Sequence, residues 1–277
     1  MRHPLNKTRR FSKAFLLWVF FCLGGVALAG QPPLGLLQPG EYPLIAVNNH
    51  CPSSYKNSKD YWNSLQQVEL KLGGQDRFRD LPALHTQSPF TGEIVLGDPP
   101  QRFGVIVDVV GAEKRLYIDS NADGSFAGEQ WTPLLNEWQG LQIYLVEGPE
   151  PVSVQVQYPN AAQRYPLQLQ LSGVLNKPGP LYKEKPFLKV LVTTWFLAKL
   201  VEDGGEKLAA VVDRDNNGRF NDSQDQIFID YNDDGYFSDN EAIQRKNGIR
   251  LRSGRQNLNV TWGVYPEKMV IGGTRHD

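Results

Sequence analysis

Apolar and polar residues alternate along much of this chain. The period-2 stretches are 66–72 (QQVELKL), 152–158 (VSVQVQY) and 167–171 (LQLQL). Because successive side chains of a strand point to opposite faces of a sheet, this alternation predicts half-buried β-strands. Short runs of β-branched or aromatic residues, bounded by Gly, Pro or Asn, predict more strands at 103–110, 141–146, 187–191, 208–212 and 257–262. We therefore predict a mostly β fold: a sandwich, a barrel or stacked hairpins.

The first 29 residues have the layout of a secretory signal peptide. Basic residues precede an apolar run from Ala14 to Leu23, and small residues at Ala27 and Ala29 fit the cleavage pattern. The run is shorter than the ~20 apolar residues of a spanning helix. We predict cleavage near Gly30, a periplasmic or extracellular location, and no integral membrane segment after cleavage. The export route, general secretory or twin-arginine, stays open.

Two regions follow the predicted signal peptide. Residues 30–66 begin with a stretch rich in Pro and Gly, which predicts an extended, unpacked lead-in with a short helix near 58–67. Residues 67–277 form the predicted β-rich domain, which we expect to carry the chemistry of the protein.

Charge and cysteine content narrow the function classes. The chain has 29 basic and 30 acidic residues, and without residues 1–29 the balance becomes 24 against 30. A net acidic protein is a poor partner for nucleic acid, whose phosphates favour a basic face. Clustered carboxylates that bind a cation suit this charge better. Only Cys51 remains after the predicted cleavage, so an intrachain disulfide is excluded and bound metal is a further source of stability.

Three segments share the pattern Asp-x-(Asp/Asn)-x-(Asp/Asn)-Gly-x-Phe. They are 119–126 (DSNADGSF), 213–220 (DRDNNGRF) and 230–237 (DYNDDGYF). The first two follow GAEK and GGEK and a predicted strand, which indicates two copies of a hairpin-plus-loop unit with a third loop appended. Ca²⁺ takes six to eight oxygens at about 2.3–2.6 Å, so a chain that curls around it offers oxygens from alternate positions. Glycine at position 6 permits the sharp turn, and the apolar residue at position 8 is predicted to anchor the loop in the core.

These segments resemble the calcium loop of EF-hands, in the form found in otherwise uncharacterised secreted bacterial proteins. We name them loop 1 (119–130), loop 2 (213–225) and loop 3 (230–241), with positions counted from the first Asp. The resemblance implies the following ligands. In loop 3 they are Asp230, Asn232, Asp234 and Glu241, with the carbonyl of Tyr236 and with Ser238 acting directly or through water. In loop 2 they are Asp213, Asp215, Asn217, the carbonyl of Arg219, and Asp222 or Asp225 as the late carboxylate. In loop 1 they are Asp119, Asn121, Asp123, Ser125 and Glu129.

Loops 1 and 2 depart from the EF-hand pattern. Gln130 and Gln224 hold position 12, where the family places a carboxylate, and only loop 3 has Glu241 there. Asn217 is neutral, which predicts weaker binding in loop 2. Loop 1 is either an eleven-residue variant closed by Glu129 or a loop that no longer closes on metal. Asp, Asn and Gly are also the residues of ordinary tight turns, but three occurrences at the same internal phase favour calcium.

The sequence around the loops does not predict a switch or name a reaction. β-type runs lead into each loop, which disfavours a helix-loop-helix sensor. No HExxH, GxSxG or phosphate-binding loop is present, although the paired carboxylates of a glycoside hydrolase would leave little sequence trace. Trp195 and Trp262 are predicted to be core residues, whereas Trp131 and Trp138 are left open as aromatics that stack on sugar.

Three hypotheses remain for the function. The first is an exported calcium-binding protein with structural sites between strands. The second is a calcium-supported carbohydrate or surface-binding module with a polysaccharide or protein partner. The third is a calcium-dependent hydrolase of a surface polymer.

Overall fold

The strands of the protein follow the predicted alternation closely. The structure is a computed structural model that describes residues 37–53, 65–140, 143–159, 161–175, 185–244, 249–253 and 256–274. The predicted signal peptide (1–29) lies outside them, as does most of the predicted helix near 58–67, whose last two residues belong to a strand. Within the described part of the chain, no helix is long and apolar enough to cross a membrane.

In chain order, the described strands are β1 (Gly40–Pro43), β2 (Ile45–Asn48), β3 (Gln66–Glu69), β4 (Lys71–Leu72), β5 (Phe90–Leu96), β6 (Gln101–Val110), β7 (Glu113–Ile118), β8 (Thr132–Pro133), β9 (Leu135–Gly140), β10 (Ile143–Glu147), β11 (Val152–Val156), β12 (Tyr165–Val174), β13 (Phe187–Val192), β14 (Thr194–Glu202), β15 (Gly205–Val212), β16 (Gln226–Ile229), β17 (Ala242–Gln244), β18 (Ile249–Ser253), β19 (Gln256–Trp262) and β20 (Lys268–Thr274). Short 3-10 helices lie at Gln75–Arg77 and Asp239–Glu241. Every predicted strand overlaps one of these strands, so the prediction of a mostly β fold is confirmed.

The strands form four antiparallel sheets. Sheet 1 has the order β4-β5-β6-β7-β8, and sheet 2 has the order β3-β13-β12-β10-β9 with β11 paired to β12. Sheet 3 has the order β17-β16-β15-β14-β2, and sheet 4 has the order β1-β20-β19-β18. The arrangement is consistent with a β-sandwich and is not a closed barrel.

One hydrophobic core contacts all four sheets. It contains inward residues such as Val105 of sheet 1, Leu169 of sheet 2, Phe196 of sheet 3 and Val260 of sheet 4. Fully burying such a side chain stabilises the fold by about 1.5–3 kcal/mol. Two smaller clusters cover outward faces. One consists of Leu65, Trp195, Ala210, Phe228 and Phe237 on sheet 3, and the other of Ile106, Tyr117 and Phe126 on sheet 1. Trp195 and Trp262 are buried, which confirms their prediction as core residues.

The predicted lead-in is partly wrong. β1 pairs with β20 and β2 pairs with β14, so residues 40–48 belong to the sheets and not to an unpacked segment. Tyr42 is buried, and its hydroxyl donates to the carbonyl oxygen of Gln38. Proline and glycine signal an irregular chain locally, but the sequence pattern cannot reveal that β14 and β20 offer free edges to this segment.

Candidate metal centre

All three loops connect neighbouring antiparallel strands. Loop 1 joins β7 to β8, loop 2 joins β15 to β16, and loop 3 joins β16 to β17. The backbone turns the same way in each loop. Position 4 is left-handed, with φ of 55° at Ala122, 58° at Asn216 and 57° at Asp233, and the position-6 glycines have φ of 73–77°. Glycine, which lacks a Cβ, takes up this conformation at position 6 without the strain that a side chain would add.

The first aspartate of each loop organises the turn. One carboxylate oxygen accepts the N–H of position 5 at 3.2 Å, and the other accepts the N–H of the position-6 glycine at 2.7–2.9 Å. These aspartates are Asp119, Asp213 and Asp230, and all three are buried. The sequence repeat therefore encodes one hydrogen-bond frame that recurs in all three loops.

The late carboxylate occupies the same place in the three loops despite a different spacing. Glu129, Asp225 and Glu241 each accept the backbone N–H of position 2, at 2.7, 3.3 and 2.9 Å respectively. They stand at positions 11, 13 and 12, so the loops differ in length but close in the same way. The structure thus brings Glu129 to the place that the eleven-residue variant requires, and it selects Asp225 for loop 2.

Asp222 has a different role from Asp225 in loop 2. Its carboxylate accepts the side-chain amide of Asn217 at 2.7 Å and the backbone N–H of Gln224 at 2.8 Å. Gln224 and Gln130, the residues at position 12, take no part in the late-carboxylate contact. Glu241 in loop 3 is held further by Ser238, whose N–H and hydroxyl both donate to it at 2.8 Å.

The middle positions are tied to one another. In loops 1 and 3 the amide of Asn121 or Asn232 donates to the position-5 aspartate, Asp123 or Asp234, at 2.9 Å. In loop 2 the direction reverses, because Asn217 at position 5 donates to Asp215 at position 3. The position-7 residues, Ser125, Arg219 and Tyr236, donate their backbone N–H to the position-5 side chain at 2.7–2.8 Å.

The position-8 phenylalanines anchor the loops, as the sequence predicts. Phe126, Phe220 and Phe237 are all buried. Each donates its backbone N–H to a carbonyl oxygen of a distant segment, at Arg79, Val264 and Pro52 respectively. Each loop is therefore fixed to a different part of the molecule.

Loop 2 is the most deeply integrated of the three. The N–H of Val192 donates to the side chain of Asn216 at 2.8 Å, and the N–H of Gly97 donates to the carbonyl of Asn217 at 2.9 Å. The Tyr158 hydroxyl donates to the carbonyl of Gly218 at 2.6 Å. These contacts join loop 2, which connects two strands of sheet 3, to β13 of sheet 2 and to the segments that follow β5 of sheet 1 and β11 of sheet 2. The sequence gives no signal for them, because each donor is remote in the chain.

Carboxylates crowd together in loop 2. Oxygens of Asp213, Asp215 and Asp225 lie within 4.8 Å of one another. Burial first, and then the charges of Asp225 and Asp215, raises the pKa of Asp213. Burial and the neighbouring charge of Asp222 raise the pKa of Asp225 to about 8. Like charges that share a desolvated site disfavour full ionisation, so this cluster needs protons or a cation.

One oxygen of the cluster has no donor. Oδ1 of Asp215 is buried without a hydrogen-bond partner among the described residues. Burial, followed by the charge of Asp222, raises the pKa of Asp215. A divalent cation bound by these carboxylates would offset the cost of ionising them together.

Cationic side chains surround loop 1 instead. Arg79 donates to the carbonyl of Asp123 at 2.7 Å, and Arg164 donates to the carbonyl of Asn121. Hydrogen bonds from Ser125 and Asn121, together with these arginine charges, lower the pKa of Asp123. The positive charge of these two arginines opposes the approach of a metal cation to loop 1.

Loop 3 is more exposed than loop 2. Its first and last predicted ligands, Asp230 and Glu241, are buried, whereas residues 232–236 are exposed. The ammonium group of Lys207 donates a hydrogen bond to the carboxylate of Asp233. Asp233 stands at position 4 and is not a predicted calcium ligand.

Outside the loops, Trp131 and Asp108 are the described residues that bear on the other two hypotheses. Trp131 is 42% exposed, and the guanidinium carbon of Arg115 lies 5.0 Å from its ring centre. The Trp138 side chain lies outside the described part of the structure. The buried carboxylate of Asp108 accepts backbone N–H groups of His85 and Thr86, so its near partners are donors and not a second carboxylate.

No protein-family model, no curated protein and no solved structure matches this chain.

Proposed function

We propose that this chain is an exported calcium-binding protein in which Ca²⁺ is a structural ligand of loops between β-strands. The observation that carries the proposal is the convergence of Asp213, Asp215 and Asp225 in the most buried of three loops that share one hydrogen-bond frame. Ca²⁺ prefers carboxylate and carbonyl oxygens, which is what the alternate positions of these loops offer.

Loop 2 is proposed as the site that binds calcium most tightly. This differs from the prediction made from the sequence, in which the neutral Asn217 weakens binding in loop 2. Four aspartates contribute negative charge there, including Asp222 beside Asn217. The buried cluster is costly without a counter-ion, because burial disfavours the charged form of each carboxylate. Calcium at this site would neutralise the cluster and fasten together the sheets that loop 2 contacts.

Loop 3 is proposed as the second site and loop 1 as the weakest. Loop 3 retains the carboxylate Glu241 at position 12, while its exposed middle positions leave the ion accessible to solvent. In loop 1, Arg79 and Arg164 already supply positive charge. This order is a prediction that separate mutation of the first aspartate of each loop can test.

The predicted export of the chain fits this use of calcium. Loops of this type in extracellular modules bind Ca²⁺ at roughly 10⁻⁴–10⁻³ M, so they would fill outside the cell and stay empty inside. Calcium would then complete the fold after export, which suits a chain that has no disulfide available after signal cleavage.

Thermal unfolding of residues 30–277 tests the proposal, because residues 33–277 form one compact unit. The melting temperature should rise in a calcium titration and should not rise comparably in excess magnesium, which demands a smaller octahedral site. Asp213→Asn should remove most of the rise, whereas Asp76→Asn, at an exposed carboxylate that belongs to none of the three loops, should leave it intact. Equal melting temperatures in chelator and in millimolar calcium would contradict the proposal.

A carbohydrate-binding role is a second candidate, supported by Trp131. An exposed indole beside an arginine presents a stacking face and hydrogen-bond donors to a sugar. Intrinsic fluorescence in the presence of acidic and neutral oligosaccharides tests this role. A quenching response that Trp131→Ala removes and Trp195→Phe retains would support it, and the absence of any response would count against it.

A further inference from the structure

Loops 2 and 3 lie at the two ends of the same short strand. β16 begins directly after Asp225, the late carboxylate of loop 2, and ends directly before Asp230, the first aspartate of loop 3. Its four residues are all buried, and it pairs with β15 on one side and β17 on the other. A movement of either terminal carboxylate is therefore transmitted along a strand that is fixed on both edges.

A second connection runs through residues 48–53, which we name the linking segment. At loop 3, the carbonyl of Pro52 accepts the N–H of Phe237 at 2.8 Å, and Ser53 forms a parallel bridge with Phe237. At its other end, Asn49 accepts the indole N–H of Trp195 at 3.1 Å. The linking segment is thus tied to the exit of loop 3 and to strand β14.

The linking segment also reaches loop 2. A cavity of about 40 Å³ is lined by His50, Cys51 and Ser53 on one side and by Asp213 and Asn216 of loop 2 on the other. Asp213 is the first aspartate of loop 2 and one of its proposed ligands. The linking segment therefore borders this ligand of loop 2 as well as Phe237, the residue that anchors loop 3.

Aromatic packing connects loop 3, β16 and the wall of the cavity. The Phe237 ring meets the Trp195 ring edge-on at 6.0 Å and the Phe228 ring at 5.9 Å. Phe228 belongs to β16, and Trp195 lines the cavity beside Asp213. Loop 1 is outside this group, because Phe126 packs with Ile106 and Tyr117 on sheet 1.

We propose that loops 2 and 3 bind calcium as a coupled pair, with β16 and the linking segment as the coupling element, and that loop 1 binds independently. An ion in loop 3 orders its exposed positions and fixes Phe237 against the linking segment. Once loop 3 is ordered, binding of an ion at loop 2 no longer carries the entropic cost of ordering the shared contacts. The second ion therefore binds more tightly. The inference rests on the proposed calcium function.

Calorimetric titration of residues 30–277 with calcium measures the coupling. Asp230→Asn disables loop 3 and should weaken the affinity of loop 2 by about fivefold or more, within the usual range of coupling between sites. Because coupling is reciprocal, Asp213→Asn should weaken loop 3 by the same factor. Asp119→Asn in loop 1 is the matched control and should leave both other affinities unchanged.

Phe237→Leu separates the coupling from the ligands, because it keeps every proposed calcium oxygen and alters the packing of Phe237 against Trp195 and Phe228. We expect both sites to remain and the coupling factor to fall. Glu241→Gln is the milder alternative if Asp230→Asn does not fold. Single-loop variants that leave the other affinity unchanged would overturn the coupling while the calcium function stands. A wild-type chain that shows neither binding heat nor a rise in melting temperature with calcium would overturn both.

Discussion

Asp225→Asn distinguishes a cation site from an ordinary acidic turn. Asp225 is buried in loop 2, and its two carboxylate oxygens accept the backbone N–H groups of Arg214 and Asp222. The substitution keeps the shape of the side chain and removes its charge. We expect its effect on the free energy of unfolding to depend strongly on whether calcium is present.

The magnitude follows from the pKa of Asp225. Its folded value is about 8, against about 3.9 in the unfolded chain. At about pH 7 the carboxyl group of Asp225 is therefore protonated in the folded state and ionised in the unfolded chain. The assay pH lies about three units above the unfolded pKa, and at about 1.4 kcal/mol per unit this lowers the free energy of unfolding by about 4 kcal/mol. The asparagine removes this cost, but its amide cannot accept both N–H groups, and one buried unsatisfied donor costs about 1–3 kcal/mol. In chelator the variant should thus be more stable than wild type by about 1–3 kcal/mol.

Calcium should erode that advantage. At a calcium concentration about a hundred times the dissociation constant, the wild type gains about 2.7 kcal/mol, whereas the variant lacks a principal ligand and gains far less. Urea unfolding of residues 30–277 at neutral pH, followed by tryptophan fluorescence in chelator and in calcium, measures the four stabilities. If Asp225→Asn destabilised the protein equally in both solutions, Asp225 would be a turn acceptor and the reasoning would fail.

Three further predictions concern pH, backbone and packing. In chelator the free energy of unfolding should fall as the pH rises from about 4 to 8, because the folded state with its raised Asp225 pKa binds more protons than the unfolded state, and calcium should suppress this fall in a pH series of urea curves. Gly218→Ala should destabilise the protein more than Gly124→Ala does, by about 1–3 kcal/mol in the same assay. Both glycines have positive φ, but only at Gly218 does an added Cβ meet neighbours, at 3.0 Å from Leu96. Equal losses would show that crowding is unimportant at Gly218. Phe220→Ala should cost about 3–5 kcal/mol with or without calcium because the ring is fully buried in the central core, and a loss confined to calcium solutions would contradict that assignment.

The strands were predictable because their signal is local. The alternation at 167–171 appears in the structure as alternating buried and partly exposed residues along β12. The prediction was wrong for 40–43, where Pro and Gly suggested an unpacked segment. Pairing of β1 with β20 joins residues more than two hundred positions apart, and no pattern within either segment announces it.

The shared frame of the loops was equally predictable, since its hydrogen bonds span at most five residues from the first aspartate. The late carboxylate was only partly predictable. The sequence offered Asp222 and Asp225 as alternatives for loop 2, and both lie close enough in the chain to serve. The path of the chain into β16, which turns the Asp225 side chain toward the N–H of Arg214, made the choice.

By itself the sequence determined the β class, the three acidic turns with glycine at position 6, and the phenylalanine that follows each of them, because each of these depends on neighbours along the chain. Only the tertiary structure decided that loop 2 is buried among three sheets, that Arg79 and Arg164 lie over loop 1, and that β16 and residues 48–53 join loop 2 to loop 3. Burial and charge at a site are set by groups that meet through folding, and the pKa of Asp225 illustrates the consequence: an ordinary aspartate in the sequence becomes a carboxyl group that needs a proton or a cation.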